Sequence, residues 1–325
     1  MRMVIRIALF GVCIGAANLC LAQSAANIPR VAMLQSDTAA GAKQREDAFI
    51  ERLAALGRKE GVNLLVDRRY AEGNVDRLPV LAEEMMQRKP DVIFAPTRLA
   101  TEAFLKLTRT IPIVFANFPD PVQAGIVASL ARPGGNATGF TQVLIELTGK
   151  RLELLKEAVP RLTRLAALDS GDVTSRDQLQ ELRRNARSLG IEVIAVEANR
   201  KEAYEAAFAA ARQARAEALF VLASIPNGAN RVVIGALGLK YRLPTVNTGS
   251  AMAETGGLIA YGADDIDLQR RAAEYVDRIL KGTKPADLPV QRPTVYELVI
   301  NLKSAKEIGV TIPQSLLLRA NRVIE

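Results

Sequence analysis

The stretch Ile111–Gln142, IPIVFANFPDPVQAGIVASLARPGGNATGFTQ, decides how the chain is read. Pro112 to Ala116 is a short run rich in Val, Ile and Phe, bounded by Pro and Asn, which is the pattern of a strand covered on both faces in a parallel sheet. Open α/β sheets hold ligands at the carboxyl ends of their strands, so Asn117, Phe118 and Asp120 are expected to face a cleft. A helix-like apolar piece follows. Pro133-Gly134-Gly135-Asn136 is then a turn suited to small residues that accept positive φ, and Thr138–Gln142 leads the chain out.

The same grammar extends in both directions. Upstream, Arg30–Leu34 reads as a strand leaving through Gln35-Ser36-Asp37-Thr38, which offers N-cap candidates for a helix from about Ala42 to Glu60, stopped by Gly61. Val62–Arg68 is a second strand, and Asn74 or Asp76 caps a helix with Leu78, Leu81 and Met85 inward. Asp91–Ala95 is a third strand, exiting through Pro96-Thr97-Arg98. Downstream, strands at Leu165–Leu168, Ile191–Val196, Ala218–Leu222, Pro244–Asn247 and Leu258–Tyr261 alternate with helices, most of them leaving through polar residues. The tail has a helix Asp265–Lys281, a Pro-rich connector Lys284–Pro289, a strand-like Tyr296–Asn301 and a short helix Ser304–Ile308. This alternation predicts an α/β chain of two doubly wound, Rossmann-like lobes joined by a multi-strand hinge. The expected lobes are 28–142 plus 264–288, and 143–260 plus 291–325.

Composition narrows the chemistry. At 325 residues and 49% hydrophobic the chain can fill two cores, and with 5% aromatics and no Trp those cores should be mainly aliphatic. Residues 1–22 combine Arg2 and Arg6 with an apolar run and small residues at a cleavage point after Ala22, which predicts a secretory signal and a periplasmic protein. Both cysteines, Cys13 and Cys20, lie in that leader, and the chain has no histidine. A disulfide framework, a thiolate nucleophile, a His-based triad and a Cys/His zinc site are therefore excluded from the mature chain. The formal charge of +8 comes from Lys and Arg interspersed with acids on amphipathic helices, as in Lys43–Glu51, so it reads as solvated helix faces and not as a nucleic-acid surface.

Nucleotide and hydrolase motifs are absent. The position five residues before Gly149-Lys150 is Leu144 where a P-loop needs Gly, no G-x-G-x-x-G follows the first strand, and Ser250 lacks the glycines of a nucleophile elbow. Metal-free carboxylate catalysis would need converging acids, for which Asp37, Asp120 and Asp169 are the candidates. Polar exits in both halves instead suggest a ligand held between two lobes. The candidate ligand-binding residues are Ser36, Asp37, Thr97, Arg98, Asn117, Phe118, Asp120, Asp169, Ser224, Thr248 and Tyr261, with no cofactor. Ser36, Thr97, Arg98, Ser224 and Thr248 could donate to a carboxylate, Asp120 and Asp169 could accept from an ammonium, and Phe118 or Tyr261 could stack on an aromatic ligand. Plain structural roles are open for several: Asp120 as a turn initiator, Arg98 as a surface residue, Tyr261 as part of a core.

The run from Ile111 to Gln142 resembles the periplasmic substrate-binding proteins of ABC transporters, in the group related to tryptophan- and tyrosine-type importers. So do GKRLELLKEAVP, GGLIAYGADDIDLQRRAAEYVDRILKG and YELVINLKSAKEIGVTIP. The resemblance implies a type I periplasmic-binding fold with three crossings, a monomer, a small carboxylate-bearing ligand such as an aromatic or other amino acid, and an ABC permease as partner. A receptor for a sensor kinase or chemoreceptor would share the fold. Pro119 stands where members commonly have a small hydroxyl residue before Asp-Pro, and Arg98 where a small residue often follows the third strand.

Overall fold

The computed structural model describes residues 28–325, so the expected signal lies outside the described residues. The first half runs β1 (Arg30–Gln35), α1 (Ala39–Ala55), β2 (Leu65–Tyr70), α2 (Leu78–Met86), β3 (Val92–Phe94), α3 (Arg98–Leu105), β4 (Ile113–Phe118) and β5 (Ala137–Thr141). Its strands form an all-parallel sheet of order β2-β1-β3-β4-β5. The second half runs α4 (Thr148–Ala158), β6 (Arg164–Asp169), α5 (Val173–Ser188), β7 (Glu192–Glu197), α6 (Tyr204–Gln213), β8 (Ala218–Val221), α7 (Ile225–Ala229), α8 (Arg231–Lys240), β9 (Thr245–Asn247), α9 (Ser250–Glu254) and β10 (Ile259–Ala263). These strands repeat the same winding as β7-β6-β8-β9-β10.

The tail is divided between the two. Helix α10 (Asp265–Leu280) returns to the first sheet and packs on α1 and β4, placing Leu268, Ala272 and Val276 in one core with Phe49, Phe94 and Phe140. Strand β11 (Tyr296–Asn301) joins the second sheet antiparallel to β10. It is followed by α11 (Leu302–Ile308), α12 (Gln314–Leu317) and β12 (Arg322–Ile324), which pairs parallel to β11. α12 and β12, of four and three residues, are too short to leave a periodic signal in the sequence.

Several sequence expectations shift for local reasons. Helix α1 starts earlier than expected because Thr38 caps it, its side chain accepting from the Gly41 amide at 3.0 Å. It also stops a turn early, because Gly57 at φ +91° ends it before Gly61 is reached. No helix follows Pro121; that piece is a series of turns. The phenylalanines among the described residues are all fully buried, Phe49 and Phe94 stacking with centroids 4.2 Å apart. The cores are therefore less purely aliphatic than composition suggests, and the rings are concentrated inside them.

The chain passes between the sheets three times, and the passages lie side by side. The segment after α10 pairs with β5, where the Thr141 amide donates to the Gln291 carbonyl at 2.9 Å and the Gln291 amide to the Gly139 carbonyl at 3.0 Å. The Asp264 amide donates to the Val295 carbonyl at 3.1 Å. β5 also runs so close to β4 that a Cβ on Gly139, at φ +148°, would sit 1.9 Å from the Phe115 carbonyl oxygen. Gly139→Ala is therefore expected to destabilise the protein by about 1–3 kcal/mol or more. The check is a lowered midpoint in urea unfolding.

Candidate ligand-binding cleft

In a sheet of order 2-1-3-4-5 the helices diverge to opposite faces between the first and third strands, which leaves a crevice at the carboxyl ends there. Here two such crevices face each other. They enclose a cavity of about 510 Å³, in the range of small-molecule sites. The first sheet contributes Gln35, Ser36 and Asp37 after β1, Pro96, Thr97 and Arg98 after β3, Asn117 and Pro119 at β4, and Gln142 after β5. The second contributes Asp172, Val173 and Thr174 after β6, Ala223, Ser224 and Asn227 after β8, Asn247 and Thr248 at β9, and Arg231. Asp265, the first residue of α10, completes the lining.

Seven of the sequence-derived residues line this space: Ser36, Asp37, Thr97, Arg98, Asn117, Ser224 and Thr248. The Ser36 and Thr97 hydroxyls are 2.7 Å apart and tie the exits of β1 and β3 together. Arg98 donates through Nε to Glu102 at 2.7 Å, one helical turn along. Ser224 caps α7, accepting from the Asn227 amide at 3.1 Å. Asp37 accepts from two arginines, Arg45 of its own lobe at 3.2 Å and Arg231 of the other at 3.3 Å. That second contact is an ion pair across the cleft.

Four expected residues lie elsewhere. Phe118 is fully buried beside Phe115, because the pairing of β4 with β5 is irregular between Phe115 and Phe118; Asn117, next to it, lines the cavity instead. Asp120 shapes its turn, accepting from the Val122 and Gln123 amides at 3.1 and 2.9 Å. Asp169 is 5% exposed and engaged by the Ser175 hydroxyl at 2.6 Å and the Gly171 amide at 2.8 Å. Tyr261 sits within β10, since that strand continues to Ala263, and its ring stacks on Tyr296 against the second core. Among the described residues no aromatic side chain lines the cavity; its apolar surface is aliphatic, including Leu99, Leu144, Ile225 and Met252.

Sequence reading missed Gln35, Arg45, Gln142, Asn227, Arg231, Asn247 and Asp265 among others. Arg231 and Asp265 open their helices and Arg45 lies one turn into α1, and the available signal was that position: an early helical residue stands near the exit of the preceding strand. Arg45, within the amphipathic stretch Lys43–Glu51, reads as solvated from sequence alone. Gln35 Nε2 and Asn117 Oδ1 are buried without a protein partner.

Two charged groups here are perturbed. Burial raises the pKa of Asp265; Arg45 pulls it back, neighbouring Asp264 adds to the rise, and Gln142 and Asn117 favour the charged form. Arg151, in α4, is fully buried where the lobes join, donating through Nε to the Tyr261 carbonyl at 2.7 Å and through Nη1 to the Leu144 carbonyl at 3.0 Å. Burial lowers its pKa to about 9, so it remains charged at neutral pH.

Two parallel-sheet lobes around a polar cleft define a ligand-binding protein of the periplasmic-binding type. The model of the ABC transporter substrate binding protein family matches residues 30–324, and the chain belongs to that family. It is similar to a tyrosine-binding protein of Clostridioides difficile (strain R20291), 25% identical over 261 residues, which cover 80% of this chain and 75% of that one. Among solved structures it resembles a conserved domain protein from Vibrio cholerae O1 biovar El Tor str. N16961, with a TM-score of 0.85, 26% identity and coverage of 91% of this chain and 100% of the other. It also resembles an ABC domain from Streptococcus pneumonia in complex with L-Trp, with a TM-score of 0.83, 25% identity and coverage of 91% and 99%. These likenesses establish the type I periplasmic-binding fold.

The raised Asp265 gives a signed expectation for the ligand-free protein. A carboxyl whose folded pKa lies above its unfolded value burdens the folded state above that folded pKa, and the burden disappears as pH falls toward the unfolded value. Asp265→Asn should therefore raise the melting temperature at pH 7, and the gain should shrink as the pH is lowered through the raised pKa. Scanning calorimetry of both proteins across pH 3.5–7.5 measures it.

Proposed function

We propose that this chain captures an amino acid outside the cytoplasmic membrane, in the periplasm, by closing its lobes over it, and delivers it as a monomer to the permease of an ABC importer. The observation that carries this reading is the facing pair of polar strand ends around the 510 Å³ cavity, bridged by Asp37 and Arg231. The family supports the transport role, and relatives described as tyrosine-binding and bound to L-Trp support the ligand class.

Closure is supported by contacts that a wide opening would break. Besides the ion pair, Gly73 of the first lobe meets α7 of the second so closely that an added Cβ would lie 2.6 Å from that of Ala229. The three adjacent crossings then act as a hinge, and Arg151 holds the carbonyls of two of them, near Leu144 and Tyr261. If the ligand is aromatic, its ring is gripped by aliphatic side chains such as Leu99, Ile225 and Met252, not by stacking. Binding without turnover fits the acids: of Asp37, Asp120 and Asp169 only Asp37 lines the cavity, and two arginines hold it.

A thermal-shift screen of amino acids, organic acids, nucleosides and sugars tests the ligand class. At 100 times its dissociation constant a true ligand adds about 2.7 kcal/mol, a clear melting shift. A response to sugars or nucleosides alone would refute the amino-acid assignment. Arg231→Met removes the inter-lobe pair and leaves Arg45 on Asp37, so it should weaken ligand binding about fivefold, the effect of a half-buried pair of about 1 kcal/mol. It should also shift the small-angle-scattering radius of gyration toward a more open average; unchanged affinity and radius would show that the pair does not contribute to closure.

A further inference from the structure

Asp265 is the acid of the cleft whose side chain forms neither a salt bridge nor a helix cap among the described residues. The other carboxylates on its walls are engaged: Asp37 with Arg45 and Arg231, Glu102 with Arg98, and Asp172 with the Ser175 amide and the Ser170 hydroxyl. Arg45 acts on Asp265 from a distance while its Nη2 is turned to Asp37, and Arg151, which shares a small adjoining cavity of about 20 Å³ with Asp265, uses Nε and Nη1 on backbone carbonyls. Beside Asp265 lies Asn117, whose buried Oδ1 has no protein partner. The side-chain amides of Gln142 and Asn117 reach Asp265 but no cation pairs with it, and a carboxylate with spare lone pairs beside a buried, partnerless amide oxygen leaves a place for a donor-rich group. On the opposite wall Arg176 forms no ion pair among the described residues. With Asp172 held in its own turn, the charges left to meet a ligand are Asp265 on the first lobe and Arg176 on the second, the complement of a zwitterion.

We propose that Asp265 is the amine anchor of this cleft: its carboxylate takes the charged hydrogen bond of a ligand ammonium, Asn117 Oδ1 accepts a second, and the cleft thereby selects amine-bearing ligands over analogues that lack the amine. This rests on the reading of the cleft as a ligand site and adds the residue that sets its chemical selectivity. An ammonium has three donors and no acceptor, so it can serve the carboxylate and the orphaned Asn117 Oδ1 at once. A ligand without the amine closes the cleft over a carboxylate that has amide donors but no cationic partner, which is the larger part of the discrimination.

The test is isothermal titration at pH 7 of the full mature chain and of Asp265→Asn. The probes are L-tyrosine and L-tryptophan, their des-amino analogues 3-(4-hydroxyphenyl)propanoate and indole-3-propanoate, and the other common amino acids and diamines such as putrescine. The wild type should prefer the amine-bearing member of a pair by roughly 30-fold or more, the scale of a broken charged pair. Asp265→Asn should lose that preference while binding the des-amino analogue as well as before or more tightly. Equal loss on both members, or no loss on either, would overturn the anchor; circular dichroism of the variant and a parallel Asp265→Glu, expected to restore part of the preference, separate this from misfolding. A wild type that favours the des-amino member refutes the anchor and leaves the two-lobed capture reading standing. A wild type that binds only diamines, with sensitivity to Asp265→Asn, supports the anchor and refutes the amino-acid reading. If no amine binds, both fall.

Discussion

Parallel strand order is the constraint on which the rest of this molecule depends. In the windings β2-β1-β3-β4-β5 and β7-β6-β8-β9-β10 each strand delivers its carboxyl end to the same edge of its sheet. The helices must diverge between β1 and β3, and between β6 and β8, which opens a crevice in each half. Ser36, Thr97, Thr174 and Ser224 face one cavity for that reason and for no reason local to their own segments. Sheet burial supplies the stability: Val, Ile and Phe fill both faces of β4, so the polar groups are displaced to the strand ends, where backbone and side chains meet solvent or a ligand.

The junction between the lobes is held by polar contacts in a mostly apolar setting. Arg151 is fully desolvated, and no carboxylate is among its hydrogen-bond partners. A buried guanidinium would be expensive if its donors were idle, but here two of them reach the carbonyls of Leu144, on one crossing, and of Tyr261, in β10 just before another. The pairing of Gln291 with β5 does the same with main-chain atoms alone. Pairing of this kind keeps the crossings attached to one another.

Charge in the cleft follows a chain that runs through both lobes, from Arg231 to Asp37 to Arg45 and on, by field, to Asp265. Substitution at one end alters the balance at the other, since Arg45 divides its influence between two acids. The few aromatic residues are kept away from this chain. Their rings stack inside the cores, as Phe49 does on Phe94 and Phe140 against Tyr275, so shape selection in the cavity falls to aliphatic side chains.

The alternation of apolar runs with capped amphipathic helices determined the class of fold, and the polar residues after strands determined where to look for a site; Ser36, Thr97 and Ser224 were legible because a strand exit is a local property. Phe118 and Tyr261 were not, because which side of a strand faces the core depends on a β4–β5 irregularity and on how far β10 extends, both fixed by pairing with distant strands. Asp120 and Asp169 turned inward to their own backbone, a choice that a sequence lists as one option among several. Arg231 and Asp265 became cleft residues only when two halves about 200 residues apart in the chain were brought face to face. Sequence carries the periodicities that bury surface; the partner of a charge is decided by the tertiary packing that determines which desolvated groups must meet.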